Sequence, residues 1–143
     1  MLPFAMNSLT QPAATALSQH ASETVTEGIR ILVEPTYLAL KSKPALGHWV
    51  FGYRVTITNE SVDEVRLTAR QWTIVDADGD VDSVSGEGVV GQQPVLRSGE
   101  SFVYSSFAQL ETSWGTMEGA FAFERLDGAT LRAAINRFYL VSA

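Results

Sequence analysis

The chain has 143 residues, 45% of them hydrophobic and 18% charged, enough apolar material for one domain with its own core. Its formal charge of −6, with ten scattered Lys and Arg, excludes a general binder of nucleic acid or anionic membranes, which needs clustered cations. The absence of cysteine removes disulfides, thiol catalysis and thiolate metal ligands, and the only histidines, His20 and His48, leave little for a zinc site.

The opening Met1-Leu2-Pro3-Phe4-Ala5-Met6 is apolar but short and lacks the basic start of a signal peptide. No window approaches the roughly 18 apolar residues of a membrane helix, so a cytoplasmic location is the expectation. Residues 1–22, rich in Ala, Ser, Thr and Gln from Asn7 to Thr24, read as a mobile extension, and residues 23–143 as the folded domain. From Val25 onward short β-type runs alternate with turn signals. Ile29 to Leu40 is the first run, and Pro35 within it points to an edge strand or a change of sheet. Trp49, Phe51, Tyr53, Val55 and Ile57 then alternate with Gly52, Arg54, Thr56 and Thr58, the period-two signature of a strand with one buried face.

Thr58-Asn59-Glu60-Ser61 reads as a turn, and Val65 to Val75 as the next strand. Asp78-Gly79 offers a hairpin turn into a partner strand at Asp80 to Val84, because both residues tolerate positive φ. Ser101 to Ser106, Met117 to Arg125 and Leu131 to Val141 complete the series, with Asp127-Gly128 as a tight turn before the last. That last segment is ambiguous: Leu131, Ile135 and Phe138 have helical spacing, while Phe138 and Leu140 suit a strand. Seven to eight short antiparallel strands with no long helix predict an all-β sandwich of two packed sheets.

Gly86-Glu87-Gly88-Val89-Val90-Gly91 has the G-x-G-x-x-G spacing of dinucleotide-binding turns. The setting differs from that fold, which opens a helix directly after the glycines. Here Gln92-Gln93-Pro94 follows, and Val95-Leu96-Arg97-Ser98-Gly99 has no helical apolar spacing. The glycines therefore belong to a connection between strands.

The ordered motifs resemble the ApaG family. They run from Ser42-x-Pro44 through Phe51-x-Tyr53-x-Val55-x-Ile57-x-Asn59 and Leu67-x-x-Arg70-x-Trp72-x-Ile74. The densest block is Gly86-x-Gly88-Val89-Val90-Gly91-x-Gln93-Pro94 with Gly99-Glu100-x-Phe102-x-Tyr104-x-Ser106. Thr112, Gly115-Thr116-Met117-x-Gly119 and Phe138-x-Leu140 follow. The resemblance implies a fibronectin-type-III-like or immunoglobulin-like sandwich and makes the last segment a strand. It also implies an association with cobalt resistance and magnesium efflux, no established enzymatic activity, and in larger proteins a role as a protein-interaction module. Binding of pyrophosphate or nucleotides at the glycines is a suggestion attached to the family. The chain departs from the family pattern at Ser113, where proline is usual, at Phe107, where a small residue is usual, and at Ala120 and Phe121, where His and Tyr are common.

Two readings of function follow. As an interaction module, the domain would dock an unidentified protein or a second copy of itself through a sheet edge or through Trp114, which the sequence places in an exposed loop beside Gly115. As a small-ligand binder, it would hold a pyrophosphate-containing nucleotide at Gly86, Gly88 and Gly91, with Arg70 or Arg97 supplying charge. The acidic run Asp76, Asp78, Asp80 and Asp82 could hold a weakly bound divalent cation, but without the glycine and helices of a calcium loop it reads first as turn-formers and solvated edge charges. No nucleophile motif accompanies His20 or His48, so the expectation is a non-enzyme with no cofactor, no resident metal, and no nucleic-acid or membrane partner.

Overall fold

A computed structural model describes residues 18–142, and the remainder of the predicted extension lies outside the described residues. Nine strands form two antiparallel sheets. The first carries β1 (Ser22–Thr26), β2 (Ile29–Tyr37), β3 (Trp49–Asn59) and β7 (Ser101–Leu110), in the order β1-β2-β3-β7. The second carries β5 (Val81–Glu87), β4 (Val65–Asp76), β8 (Trp114–Arg125) and β9 (Thr130–Val141) in that order, with the two-residue β6 (Val95–Leu96) on one end of β4. This is the two-sheet sandwich that the strand pattern anticipates, of the fibronectin-type-III-like kind that the family resemblance implies, and β1 and β6 add to the seven strands read from the sequence.

The alternation in β3 does what its period requires: Phe51, Tyr53, Val55, Ile57 and Asn59 all turn inward. They meet Trp72, Met117, Phe121, Phe123, Phe138 and Leu140 of the facing sheet. Trp72 stands edge-on to Tyr53, Phe121 and Phe138, with ring centroids 5.5 to 6.0 Å apart. Such edge-to-face geometry adds quadrupole attraction to the burial of apolar area.

Pro35 sits within β2, a strand paired on both sides, yet it breaks no ladder. β1 ends opposite Val33, so beyond that point β2 is locally an edge and the missing N–H costs no bond.

The helix-like spacing near the end of the chain also has a local cause. β9 is a strand throughout, but its register against β8 shifts between Met117 and Gly119. Leu131, Ala133 and Ile135 point inward before this bulge, and Phe138 and Leu140 after it. The added residue moves the apolar set by one position, which turns period two into an apparent i, i+4, i+7 pattern.

Arg30 of β2 is held by Glu60, with its Nε 2.7 Å from Oε2 and its Nη2 3.1 Å from Oε1, and by Glu23 at 3.3 Å. The hydrogen bond from Arg30 is the main cause that holds the Glu60 carboxyl pKa below the ordinary value; desolvation opposes it, and the Arg30 charge adds a lesser lowering. A lowered carboxylate pKa contributes stability that is complete above the unfolded value, about pH 4, and is lost as pH falls through the folded one. The pair is solvent-exposed, so the expected acid-side difference between wild type and Glu60→Gln is small and is erased by high salt. Urea midpoints at pH 3 and pH 7, in low salt and in about 1 M salt, where the Debye length falls to roughly 3 Å, test it.

Candidate functional site

The two flanks of the sandwich are closed to different extents. On one flank β9 packs on β1 and β2, the Tyr139 N–H donates to the His20 carbonyl at 2.9 Å, and the Ala134 N–H reaches Thr26 Oγ1 at 3.4 Å. His20 and Ser22, placed in the extension by composition, are thus tied to the sheet, Ser22 as the first residue of β1. On the other flank, among the described residues, β5 pairs only with β4 and β7 only with β3. No residue of β5 is buried. Between these two edges lies a cleft of about 390 Å³.

Its floor is the inner face of the core: Tyr53, Trp72, Ile74 and Met117. Asp82 and Val84 form the β5 wall, since they pair with Ile74 and Trp72 and therefore face the same side. Tyr104, Ser106 and Ala108 form the β7 wall by the same alternation. Val90 and Phe107 stand at the rim, 52% and 62% exposed. Lys41 Nζ lies 5.9 Å from the centroid of the Phe107 ring.

The glycine motif closes one end of this cleft. Gly86 is part of β5 rather than of a loop, and it pairs with Arg70. A Cβ at Gly86 would lie 2.8 Å from Arg70 Nη2, so the guanidinium rests on the bare backbone. Arg70 Nη1 donates to the carbonyls of Glu87 and Gly88 at 2.9 and 3.0 Å. Val89 and Gln92 exchange two backbone hydrogen bonds of 2.8 Å around Val90 and Gly91, which both have positive φ, 43° and 79°. That is a two-residue hairpin of the I′ kind, and a β-branched residue in the left-handed region makes Val90 a strained position.

A second bulge anchors this hairpin. The β4 register shifts at Thr68, and the Thr68 carbonyl accepts from the Gly88 N–H at 2.9 Å and from Gln93 Nε2 at 3.1 Å. The Leu67 N–H donates to the Pro94 carbonyl at 3.0 Å. Each distinctive residue of Gly86-x-Gly88-x-x-Gly91-x-Gln93-Pro94 therefore has a part in latching the loop to β4.

The structure brings Gly86 and Gly88 together with Arg70, while Gly91 stands at the hairpin tip, and the polarity differs from that of a phosphate cradle. The Gly88 and Val89 N–H groups are spent inside the protein, and the loop offers Arg70 its carbonyls. Arg97 lies elsewhere, exposed and 3.8 Å from Glu64.

Trp114 is the first residue of β8 rather than part of a loop, paired with Val141 and 46% exposed, and it is not among the cleft residues. Asp76, Asp78 and Asp80 bring one carboxylate oxygen each within 4.8 Å of one another. Asp76 Oδ1 already accepts the N–H groups of Asp78 and Asp80 at 2.9 and 3.0 Å, which is the work of a turn-former. Asp82 faces the cleft instead. Phe121, where the family pattern commonly has Tyr, is fully buried against Trp72.

Tyr104, Ser106 and Phe107 escape a sequence reading of the site. Their strand alternates, but nothing in the run Ser101 to Ser106 says that the strand facing it will stop short of covering it. Phe107, a bulky residue where the family pattern has a small one, is the one local signal.

Comparison with known proteins follows this geometry. Residues 39–125 match the model of the ApaG domain. The chain is 48% identical over 116 residues to the protein ApaG of Brucella canis, covering 81% of this chain and 89% of that one. It is 45% identical over 118 residues to ApaG of Sinorhizobium fredii, covering 82% and 91%. The chain belongs to the ApaG family. Among solved structures it is similar to a Bordetella pertussis protein described as ApaA, with a TM-score of 0.78 and 37% identity over 79% of this chain and 92% of that one. A structural-genomics target, SoR45, matches with a TM-score of 0.77 and 29% identity over 83% and 90%. These relatives fix the family and the sandwich, and their names carry no biochemical activity. No helix among the described residues is long and apolar enough to cross a membrane.

Proposed function

We propose that this ApaG-family chain is a cytoplasmic, non-enzymatic recognition domain that receives an extended segment of a protein partner along the open β5/β7 flank. The observation that supports this reading is the one-sided closure of the sandwich. Among the described residues β5 and β7 each have a strand neighbour on one side only, which leaves backbone N–H and C=O groups that an added strand can pair. Val84, Val90 and Phe107 sit beside those edges with 38%, 52% and 62% of their surface exposed, in place to take up alternate side chains of such a segment. Among the described residues neither imidazole is hydrogen-bonded to a hydroxyl, and a hydrolytic triad has no geometric support. Any part in divalent-ion tolerance then belongs to the partner's activity, because the Asp76 carboxylate already serves its own turn.

The test is selection of displayed peptides on the immobilised domain, followed by affinity measurement against Phe107→Glu. Selected peptides are expected to alternate apolar residues, and the substitution to weaken them roughly tenfold or more, the scale of losing one central apolar anchor. Failure to enrich any peptide, or equal affinity for the variant, removes the proposal. Light scattering that shows a stable dimer abolished by Phe107→Glu would instead assign the flank to a second copy of this chain.

A further inference from the structure

We infer that the floor of the β5/β7 cleft is a binding site for a small organic anion, a molecule with an apolar or aromatic body and one carboxylate or phosphate group. Tyr104 carries the inference. It is 8% exposed and lines the cleft, yet its hydroxyl has no protein hydrogen-bond partner. A buried hydroxyl without an acceptor is uncommon and costly, and in a cleft it marks where a ligand oxygen is received.

Arg70 supplies the second donor group. Its Nη1 is engaged by the Glu87 and Gly88 carbonyls, while its Nε and Nη2 meet no acceptor among the described residues. The guanidinium is therefore fixed in position with donors to spare. Burial raises the pKa of Tyr104 first, and of Tyr53 likewise, so both phenols stay protonated at neutral pH, and the charge of Arg70 acts on both in the opposite sense. An anionic oxygen at this end would accept from Tyr104 and Arg70 together, the stronger charge-assisted kind of bond.

The rest of the lining fixes the body and its orientation. Trp72, Val84 and Met117 offer apolar walls to a planar or branched group. Asp82 is the one carboxylate in the lining, but it lies four residues along β5 from Gly86, the partner of Arg70, a span of roughly 13 Å in a strand. The ligand's anionic group thus belongs at the Arg70 end and its neutral end toward Asp82 and Gln109. The volume lies within the range of small-molecule sites, roughly 300 to 1,000 Å³. This site shares the flank proposed for a partner, but it needs no partner strand.

The test is calorimetry of the whole chain with 3-phenylpropanoate, phenyl phosphate and the neutral 3-phenylpropanamide, against wild type and Tyr104→Phe, with binding located by NMR shifts at Met117. At least one acid is expected to saturate, with the amide about tenfold weaker, and Tyr104→Phe to weaken the acid about tenfold while melting like wild type. The ratio of the two acids then separates a carboxylate from a phosphate ligand. No saturation with either acid, equal binding of the amide, unchanged affinity in Tyr104→Phe, or shifts that spare Met117 would each overturn the inference. None of those outcomes touches the peptide experiment, which reads Phe107 and the strand edges.

Discussion

Asn59→Asp is expected to lower stability at neutral pH by about 3–5 kcal/mol, the scale of placing an unpaired charge in a buried site. Asn59 ends β3 with no exposed surface, and all of its side-chain capacity is used. Nδ2 donates to the carbonyls of Asp63 and Leu96 at 2.7 and 2.9 Å, while Oδ1 accepts the Ser61 N–H at 3.0 Å and the Ser61 hydroxyl at 2.6 Å. Its backbone joins in, since the Asn59 N–H donates to the Glu100 carbonyl and its own carbonyl accepts from Gly99. One amide thus ties the β3–β4 turn, β6 and the start of β7 together.

Aspartate has the same shape but puts an acceptor against two carbonyl oxygens and buries a charge. The new carboxyl would have a folded pKa above its unfolded value of about 3.9, so its penalty applies in full above the folded pKa, fades as pH falls from there toward the unfolded one, and is gone below it. Denaturant midpoints at pH 7 and pH 3 measure this: the deficit of the variant relative to wild type should shrink on acidification. An equal deficit at both pH values would mean that lost hydrogen bonds, not charge, dominate. A wild-type midpoint at pH 7 would mean that the amide is not the tie described here.

Gly119→Ala is the second large effect, about 3 kcal/mol and a fall in Tm of roughly 10 °C. A Cβ at Gly119 would lie 1.9 Å from the Gln71 carbonyl oxygen and 3.1 Å from the Trp72 Cα, all of it backbone in the paired strand β4. No rotamer change relieves such a clash, so β8 must separate from β4 or shift. The same position adjoins the β9 bulge, so the strain falls where the ladder is already irregular. Thermal melting followed by circular dichroism reads the effect, and Gly79→Ala in the open β4–β5 turn is an informative contrast. There a Cβ meets nothing within 4 Å, and only the positive φ of 85° opposes it. Equal losses at both glycines would show that conformation, not contact, sets the cost.

How legible this fold is from sequence depends on whether a segment's pattern is set by its own geometry or by a neighbour. β3 reads cleanly because it is regular for eleven residues and buried on one face. β9 does not, because one bulge mimics a helical spacing. β1 escapes notice because Ser22–Thr26 contains a single apolar residue, and its place comes from pairing with β2 and packing on β9. The glycine block announces an unusual backbone, and the positive φ values of Gly88, Val90 and Gly91 agree.

What the block does with that backbone is not written in its spacing. It depends on the Thr68 bulge and on Arg70, residues of another strand. The cleft is harder still, since Tyr104 and Asp82 come to line one cavity only because two sheets stack and, among the described residues, no strand roofs the space between β5 and β7. Long-range vacancy leaves no local trace.

The seam sewn by β9 on β1 and β2 also constrains the order of assembly. The first strand of the domain pairs at once with β2, but the strand that packs on its other side is the last one, more than a hundred residues later in synthesis. Until those final residues emerge, Ile29, Ile31 and Val33 lack the part of their core that Leu131, Ala133 and Ile135 supply, and the nascent sheet must wait with some of its greasy side bare. The finished seam also sets His20 and Tyr139 side by side, the arrangement of chain entry and exit that lets a domain be accommodated within a surface loop of another protein.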